Sequence, residues 1–203
     1  MIMDNRSWDL WDRPGVVPRI EEVWKHPLEV SHREILAKLS SDHVKNGDKF
    51  LEVGCGSGLM CKALTQCVTV SYTGVDTSKE MLRAARAAFP GVMFQEGDGY
   101  KLGFPDRSFD VVAAYNVLQH LPDIVGFIRE MIRVSRRMVL FTMIVSAKSA
   151  HVEEVILGNR FLHNRYTLIE ATARINEASD GFPCKRFTVR GDHVLWTVTK
   201  RSA

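Results

Sequence analysis

The stretch at residues 50–58 reads FLEVGCGSG, an apolar strand that runs into three glycines at alternate positions. Glycine accepts positive φ angles and lets a ligand approach the main chain closely, because it has no Cβ. A helix is predicted from Leu59, and the first N–H groups of a helix lack partners within it. The stretch therefore predicts a ligand-binding turn between a strand and a helix.

Two other kinds of glycine-rich loop fit this stretch less well. The dinucleotide fingerprint G-x-G-x-x-G requires a glycine at position 59, where this chain has Leu59. A P-loop requires Gly-Lys-Ser/Thr, and that sequence does not follow. The spacing disfavours a nicotinamide oxidoreductase and excludes a P-loop.

Beyond the glycines, short apolar runs alternate with helical stretches, as expected for a parallel sheet with crossover helices. The last two runs are separated only by Gly191, Asp192 and His193, which predicts an antiparallel hairpin. We predict an α/β fold, a three-layer Rossmann-like sandwich around a seven-stranded, mostly parallel sheet with an antiparallel C-terminal hairpin. The seven predicted strands are residues 49–53, 70–75, 92–95, 109–114, 138–145, 186–190 and 194–200.

Three capping boxes predict where helices begin. In each, a Ser or Thr is followed three residues later by Glu, and the two side chains satisfy free N–H groups of the first turn. The boxes start at Ser31, Thr77 and Thr167. Asp180 and Gly181 predict the end of the third helix.

The N-terminal part of the chain has a different composition. Residues 1–29 hold three tryptophans and three prolines: Trp8, Trp11, Trp24, Pro14, Pro18 and Pro27. So many prolines exclude one long helix and predict a wrapping arm or lid of short pieces. We divide the chain into an N-terminal arm and helix, residues 1–46, and a ligand-binding domain, residues 47–203.

Composition and charge limit the location and the partners. The chain has 203 residues, of which 45% are hydrophobic and 25% charged, and its N-terminus lacks the apolar region of a secretory signal. We expect a cytoplasmic protein that does not enter a membrane. Residues 126–203 carry 13 basic against 7 acidic residues. Those arginines are dispersed, which disfavours nucleic-acid binding without excluding it.

Four cysteines give no metal-binding spacing. They contain no C-x-x-C pair, which disfavours structural zinc, and we expect no metal site. We predict buried free thiols at Cys55, Cys61, Cys67 and Cys184.

An acidic residue ends the second predicted strand, in the sequence Gly74-Val75-Asp76. If the first two strands pair in parallel, this carboxylate lies beside the glycine turn. There it can accept hydrogen bonds from both hydroxyls of a ribose. The alternative is that Asp76 only caps the following helix, and both roles are compatible.

Four blocks in order resemble the class I S-adenosylmethionine-dependent methyltransferases, of the methyltransferase type 11/25 group. They are LEVGCGSG at 51–58, GVDTS at 74–78, EGDG at 96–99, and FPDRSFDVV at 104–112 followed by NVLQHLP at 116–122. The resemblance covers about residues 48–145 closely and the closing hairpin more loosely. It implies the fold predicted above, with S-adenosylmethionine as cofactor and S-adenosylhomocysteine as product.

The resemblance also implies roles for the residues of the first two blocks. Glu52 would organise the site near the methionine amino group, or be a buried structural acid. The loop formed by Gly54, Cys55, Gly56 and Gly58 would pass under the cofactor. Asp76 would bind the ribose hydroxyls.

Further roles follow for the residues around the base and the methyl group. Thr77 and Met81 would line the ribose and adenine, although Met81 equally suits a helix core. Asp98 would accept the adenine amine beside the backbone of Gly99, or serve only a turn. The main chain around Asn116 would meet the methionine end.

Catalysis needs few residues, because the sulfonium already activates the methyl group, so alignment and exclusion of water are the main tasks. His120 is the candidate general base or substrate contact, and its alternative role is packing. Other candidates for the acceptor site are Tyr115, Gln119, the three arm tryptophans and residues 159–166. That last segment suits either a substrate-covering insertion or a surface loop anchored by Phe161 and Tyr166.

The chain departs from the family pattern at residues 133–137, where RVSRR replaces the usual Pro-Gly-Gly turn and predicts a shorter connection. The leading functional hypothesis is methyl transfer to an oxygen or nitrogen of a small molecule. The alternatives are an RNA or protein methyltransferase and a non-catalytic cofactor-binding scaffold. The sequence names neither the methyl acceptor nor an oligomeric state.

Overall fold

The computed structural model describes residues 7–13, 15–156 and 159–200; Pro14 and the side chain of Trp8 lie outside the described part. The helices are α1 (Val16–Trp24), α2 (Pro27–Ser41), α3 (Leu59–Thr65), α4 (Lys79–Ala88), α5 (Ile124–Val134) and α6 (Leu168–Ser179), with 3₁₀ turns at Ser7–Asp12 and Leu118–His120. The strands are β1 (Lys49–Val53), β2 (Ser71–Asp76), β3 (Met93–Glu96), β4 (Phe109–Ala114), β5 (Ser135–Ile144), β6 (Ala150–Ile156), β7 (Asn159–Arg165), β8 (Cys184–Arg190) and β9 (His193–Thr199).

Seven strands form one sheet in the order β3-β2-β1-β4-β5-β9-β8. The first five pair in parallel, and β9 runs antiparallel to both of its neighbours. The predicted α/β sandwich is therefore confirmed, including its closing hairpin. The strand order reverses beside β1 and β4, where open α/β sheets place their ligands beyond the carboxyl ends.

Each face of the sheet has its own apolar core. Alternate strand residues such as Leu51 and Val112 pack with α5 and α6 on one face. Phe50 and Val111 pack with α2, α3 and α4 on the other. Both faces of the central strands are covered, so these strands read as continuous apolar runs rather than alternating ones.

The missing Pro-Gly-Gly turn shortens the connection before β5, as predicted. Helix α5 ends at Val134, and β5 begins at the next residue, Ser135. The strand therefore starts three residues before the predicted position at 138. The guanidinium of Arg133 donates to the carbonyl oxygens of Leu102 and Phe104 at 3.0 and 2.9 Å, which ties this junction to the loop before β4.

The surface-loop interpretation of residues 159–166 is wrong, because most of this segment is strand β7. Strands β6 and β7 form a separate antiparallel hairpin. Phe161 and Asn164 are buried, and the Asn164 amide donates to the Leu121 carbonyl at 2.9 Å. Anchoring by Phe161 and Tyr166 is confirmed, since both are buried.

Two of the three predicted capping boxes are wrong in position. Helix α2 begins before Ser31, because Pro27 supplies a preset first-turn φ and the His26 side chain accepts from Leu28 N. Helix α4 is capped by Ser78 instead of Thr77, through a 3.1 Å bond from Met81 N to Ser78 Oγ. The box at Thr167 is confirmed.

The four cysteines are free, but not all are buried. Cys55 and Cys61 are buried, Cys184 is half-buried and Cys67 is exposed. Burial is wrong for Cys67 because it follows the end of α3, in the turn that leads to β2. Among the described residues, no group of cysteines, histidines and acids has the arrangement of a metal site. Within the same ranges, the helices are too short or too polar to cross a bilayer.

Candidate ligand-binding cavity

A cavity of about 420 Å³ opens at the carboxyl ends of β1, β2 and β4. Its floor is the glycine turn, and its cover includes Trp11 and Trp24 from the N-terminal arm. The structure brings eleven predicted site residues to its wall: Glu52, Gly54, Cys55, Gly56, Asp76, Thr77, Met81, Asp98, Gly99, Asn116 and His120. Gly58 does not line it.

The glycine turn uses the left-handed backbone conformation three times. The φ angles are 76°, 52° and 82° at Gly54, Gly56 and Gly58. A Cβ on Gly54 would lie 2.4 Å from Val117, and one on Gly58 would lie 3.0 Å from the Phe89 ring. Gly54 and Gly58 therefore hold the turn, whereas Gly56 has room above it and faces the cavity.

Asp76 is bonded directly to this turn. Its Oδ2 accepts from Gly56 N at 2.8 Å, and its Oδ1 accepts from Ser78 N at 2.9 Å. Burial raises the pKa of the carboxyl, and the N–H donors of Ser78, Gly56 and Thr77 oppose that rise. With about four lone-pair directions and three N–H donors, the carboxylate keeps acceptor capacity for a ligand hydroxyl.

Glu52 is a second buried acid at the cavity wall, only 2% exposed. Its Oε2 accepts a hydrogen bond from the Tyr72 hydroxyl. Burial raises the pKa of Glu52 to about 8, and the Tyr72 bond only partly offsets this rise. The side chain is therefore mostly protonated at pH 7 unless a cation lies nearby.

The side of the cavity near α4 is lined by the apolar side chain of Met81 and by two turn residues, Asp98 and Gly99. Met81 is buried, and its Sδ would lie 4.0 Å from a Cβ on Gly56. Asp98 is exposed, and its Oδ1 accepts from Tyr100 N at 2.9 Å, so the turn role is present. A Cβ on Gly99 would lie 2.1 Å from Phe127, which explains the glycine at that position.

Asn116 marks the end of β4 with a positive φ of 56°, a conformation that asparagine tolerates better than most residues. Its N–H donates to Thr142 Oγ1 at 2.7 Å. This bond turns the chain away from the sheet and toward the 3₁₀ turn that carries Gln119 and His120.

One ring nitrogen of His120 is hydrogen-bonded to the main chain of β7. Its Nδ1 lies 2.8 Å from the Leu162 carbonyl oxygen. A carbonyl only accepts, so the proton sits on Nδ1 and Nε2 carries the lone pair. Burial lowers the pKa of His120 to about 4, which keeps the imidazole neutral at physiological pH.

The N-terminal arm is held against the cavity by the cap of α4. Ser78 Oγ lies 3.0 Å from the Trp11 carbonyl oxygen and 2.9 Å from Asp12 Oδ1. Asp12 Oδ1 also accepts from Glu80 N at 3.2 Å. Trp11 and Trp24 stack at 6.5 Å, and Trp24 Cη2 would lie 3.9 Å from a Cβ on Gly56.

Arg33 is a cavity residue that sequence analysis missed. It is half-buried on α2, and its Nη2 donates to the Trp24 carbonyl oxygen at 2.9 Å. Burial lowers the pKa of the guanidinium. Within the described ranges no carboxylate lies within ion-pair distance of it. No motif marks this position, because only the packing of α1 on α2 directs it to the cavity.

The other acceptor-site candidates divide between the cavity and the surface. Tyr115 and Gln119 line the cavity, as predicted. Of residues 159–166, His163 lines the cavity, whereas Arg165 is exposed. His193 also lines the cavity and was not predicted.

Comparison with known proteins agrees with this geometry. A family model described as "Methyltransferase domain" matches residues 51–142. Ajmaline N-methyltransferase from Rauvolfia serpentina is 34% identical over 105 residues, covering 49% of this chain and 36% of that protein. The 27-O-demethylrifamycin SV methyltransferase from Amycolatopsis mediterranei is 36% identical over 99 residues, 46% of this chain and 36% of its own length. The chain thus spans only about a third of the length of each of these two relatives.

Solved structures share the fold over most of the chain. The DhpI complex with S-adenosylhomocysteine superposes with a TM-score of 0.69 and 21% identity, covering 92% of this chain and 93% of that one. A possible histamine N-methyltransferase from Thermotoga maritima gives 0.64 and 18%, covering 96% and 100%. Residues 51–142 are thus similar in sequence to a methyltransferase domain, and the chain shares the fold of the class I S-adenosylmethionine-dependent methyltransferases. That family uses S-adenosylmethionine as its cofactor.

Proposed function

We propose that this chain transfers the methyl group of S-adenosylmethionine to an oxygen or nitrogen of a small molecule. The observation that carries the proposal is the bond from Gly56 N to Asp76 Oδ2 at the floor of a covered cavity. It fixes a ribose-binding carboxylate against a loop that has no side chain above it. This arrangement suits a nucleoside cofactor lying across the turn.

The cavity residues fit the parts of that cofactor. Asp76 receives the ribose hydroxyls, with Thr77 beside it. Met81 contacts the adenine, whose amine is bonded by Asp98 next to Gly99. Along the floor, Gly54, Cys55 and Gly56 pass under the cofactor, while Gly58 keeps the turn in shape.

The methionine end fits the opposite side of the cavity. Glu52 and the main chain at Asn116 lie near its amino group. Arg33 supplies a partly desolvated positive charge for its carboxylate, and the nearby acids Glu29 and Glu34 only partly offset the effect of burial on this guanidinium. A guanidinium matches a carboxylate in charge and in geometry.

The chain's residues then have two tasks in the reaction, the exclusion of water and the acceptance of a proton. Bound S-adenosylmethionine supplies a methyl group already activated by the sulfonium. Trp11 and Trp24 exclude water, so we propose that residues 1–46 act as the lid of the domain at 47–203. The Nε2 lone pair of neutral His120 accepts a proton from a hydroxyl acceptor, whereas an amine acceptor releases its proton to solvent.

The cover and the size of the cavity favour a small acceptor. Its volume lies within the range of about 300–1,000 Å³ typical of small-molecule sites. Base-amine methyltransferases carry Asn/Asp-Pro-Pro-aromatic after the fourth strand, and this chain carries Asn116-Val117-Leu118-Gln119. The names of the relatives from Rauvolfia and Amycolatopsis also refer to small molecules.

Label transfer from S-adenosylmethionine with a tritiated methyl group tests the proposal. The protein is incubated with cell extract divided into metabolites below 3 kDa, RNA and protein. Label in the metabolite fraction supports the proposed class of acceptor. Label only in RNA or protein contradicts that class, and no label in any fraction favours the non-catalytic scaffold.

A further inference from the structure

Glu29 is an acidic residue of the cavity wall that the proposed cofactor contacts do not use. It lies in the first turn of α2 and is half-buried where it lines the cavity. Among the described residues, its carboxylate has no hydrogen-bond or ion-pair partner. Neither carboxylate oxygen is sealed from solvent, so a molecule in the cavity can reach this group.

Glu29 lies toward the side of the cavity that the cofactor leaves free. One turn further along α2, the His32 ring lies 4.6 Å from the ring of His193, the first residue of β9. Both His193 and Ile144, at the end of β5, line the cavity. In the sheet, β5 and β9 follow β4 on the side away from β2 and β3. With adenosine at β2 and β3 and methionine at β1 and β4, the side near β5 and β9 remains for the methyl acceptor.

The other permanently charged groups of the described wall have partners in the proposed complex. Asp76 and Asp98 already accept from main-chain N–H groups, and they serve the adenosine. Glu52 meets the methionine ammonium. Arg33, four residues after Glu29, acts on it electrostatically and pairs with the methionine carboxylate. Once the guanidinium is neutralised in this way, Glu29 is the acid that remains unpaired.

We infer that the methyl acceptor carries a protonated amine, which pairs with the carboxylate of Glu29. An ammonium donates charge-assisted hydrogen bonds to a carboxylate, and these are stronger than bonds between neutral groups. An ammonium nitrogen has no lone pair to attack the methyl group, so the oxygen or nitrogen that reacts is a second group of the acceptor. This inference rests on the proposed function and specifies its substrate class, with Glu29 as a specificity residue.

Three small probes test the inference on the full chain saturated with S-adenosylhomocysteine. Benzylamine, benzyl alcohol and benzoate carry a positive, a neutral and a negative group on the same ring at pH 7. Ligand-observed NMR titration measures the dissociation constant of each probe. The wild-type chain is expected to bind benzylamine at least about tenfold more tightly than benzyl alcohol, as one hydrogen bond between charged groups predicts, and to bind benzoate most weakly.

Two variants on the same helix isolate the charge of Glu29. Glu29→Gln keeps the size of the side chain and is expected to bring the affinity ratio of benzylamine to benzyl alcohol to about one. Glu34→Gln is the matched control, because Glu34 also acts on Arg33 but is exposed and lies outside the cavity wall. It is expected to keep the wild-type ratio. An unchanged ratio in Glu29→Gln, or a wild-type chain that binds benzylamine no more tightly than benzyl alcohol, would overturn the inference.

The affinity for S-adenosylhomocysteine distinguishes this inference from the proposed function. Glu29→Gln is expected to bind S-adenosylhomocysteine like the wild-type chain. A loss of tenfold or more would assign Glu29 to the methionine ammonium, which overturns the inference and leaves the proposed function standing. If the wild-type chain does not bind S-adenosylhomocysteine, the proposed function fails, and the probe ratios on the unliganded chain still decide whether Glu29 selects a cation.

Discussion

The main-chain N–H of Gly56 donates a 2.8 Å hydrogen bond to Oδ2 of Asp76, twenty residues along the chain. The bond joins the turn after β1 to the end of β2, and the parallel pairing of these strands makes it reachable. One carboxylate thus shapes the glycine turn and faces the cavity. Loss of the Asp76 carboxylate is therefore expected to affect both the conformation of the glycine turn and the binding of the ligand.

Asp76→Ala is expected to abolish measurable binding of S-adenosylmethionine, a loss of at least about a hundredfold, because it removes charged hydrogen bonds worth about 1.5–3 kcal/mol each. Isothermal titration measures this change. Asp42→Ala removes an exposed carboxylate at the end of α2 and is expected to bind like wild type. Affinity retained by Asp76→Ala would contradict the assignment of the ribose site.

Glu52 is expected to make the stability of the unliganded chain fall as pH rises. Its folded pKa of about 8 lies above its ordinary value of 4.5, so the folded state binds the extra proton between these values. The contribution is complete below pH 4.5 and is lost as pH approaches 8. The contribution of Glu52 to the slope is about 1.2 kcal/mol per pH unit at pH 7.2 and about half of the full 1.4 kcal/mol at pH 8, and the buried histidines with lowered pKa contribute in the opposite sense.

Urea unfolding at pH 6.5, 7.2 and 8.0 measures this slope. Glu52→Gln is expected to flatten it, and Glu22→Gln, an exposed control, to leave it unchanged. Equal slopes in wild type and Glu52→Gln would show that Glu52 titrates normally.

Binding of the cofactor is expected to release up to one proton from Glu52 at pH 7. A nearby ammonium group favours the ionised carboxylate and lowers its pKa. Titrations with S-adenosylhomocysteine in buffers of different ionisation enthalpy count the protons released. Glu52→Gln should release fewer protons than wild type, and an identical count would place the amino group elsewhere.

The glycines of the turn are expected to differ in what they contribute. Gly54→Ala combines a positive φ with a 2.4 Å clash against Val117, so its unfolding free energy should fall by about 2–3 kcal/mol. Gly56→Ala has no close contact and should lose about 1 kcal/mol, yet bind the cofactor poorly because its methyl group faces the cavity.

Gly103→Ala is the matched control for both glycine variants, since its φ is ordinary and its Cβ would meet nothing within 4 Å. Chemical denaturation and titration together separate stability from binding. Equal losses of stability in Gly54→Ala and Gly56→Ala would contradict the different roles of the two glycines.

Local sequence predicted the centre of the fold and the floor of the cavity. The glycine turn and Asp76 are each marked by short-range patterns of strand, turn and helix, whereas Asn116 is expected only from the family resemblance. Helix α4 starts one residue later than predicted because Ser78, next to Thr77, provides the cap. Neighbouring polar residues compete for such a position, and sequence alone ranks them poorly.

The cover of the cavity could not be predicted in the same way. Arg33 reaches the site through the packing of α1 on α2, and His163 through the pairing of β6 with β7. These contacts depend on how neighbouring segments pack against each other, and no local period of the sequence reports them. The β6–β7 hairpin mixes polar and apolar residues, so its two strands were not predicted from the sequence.

Isothermal titration of the purified chain with S-adenosylmethionine, S-adenosylhomocysteine, NADH and NADPH tests the central claim most directly. The cavity geometry predicts micromolar binding of the two sulfur compounds and no binding of either nicotinamide compound. Binding of NADH or NADPH alone, or of none of the four, would contradict the assignment of this site to S-adenosylmethionine.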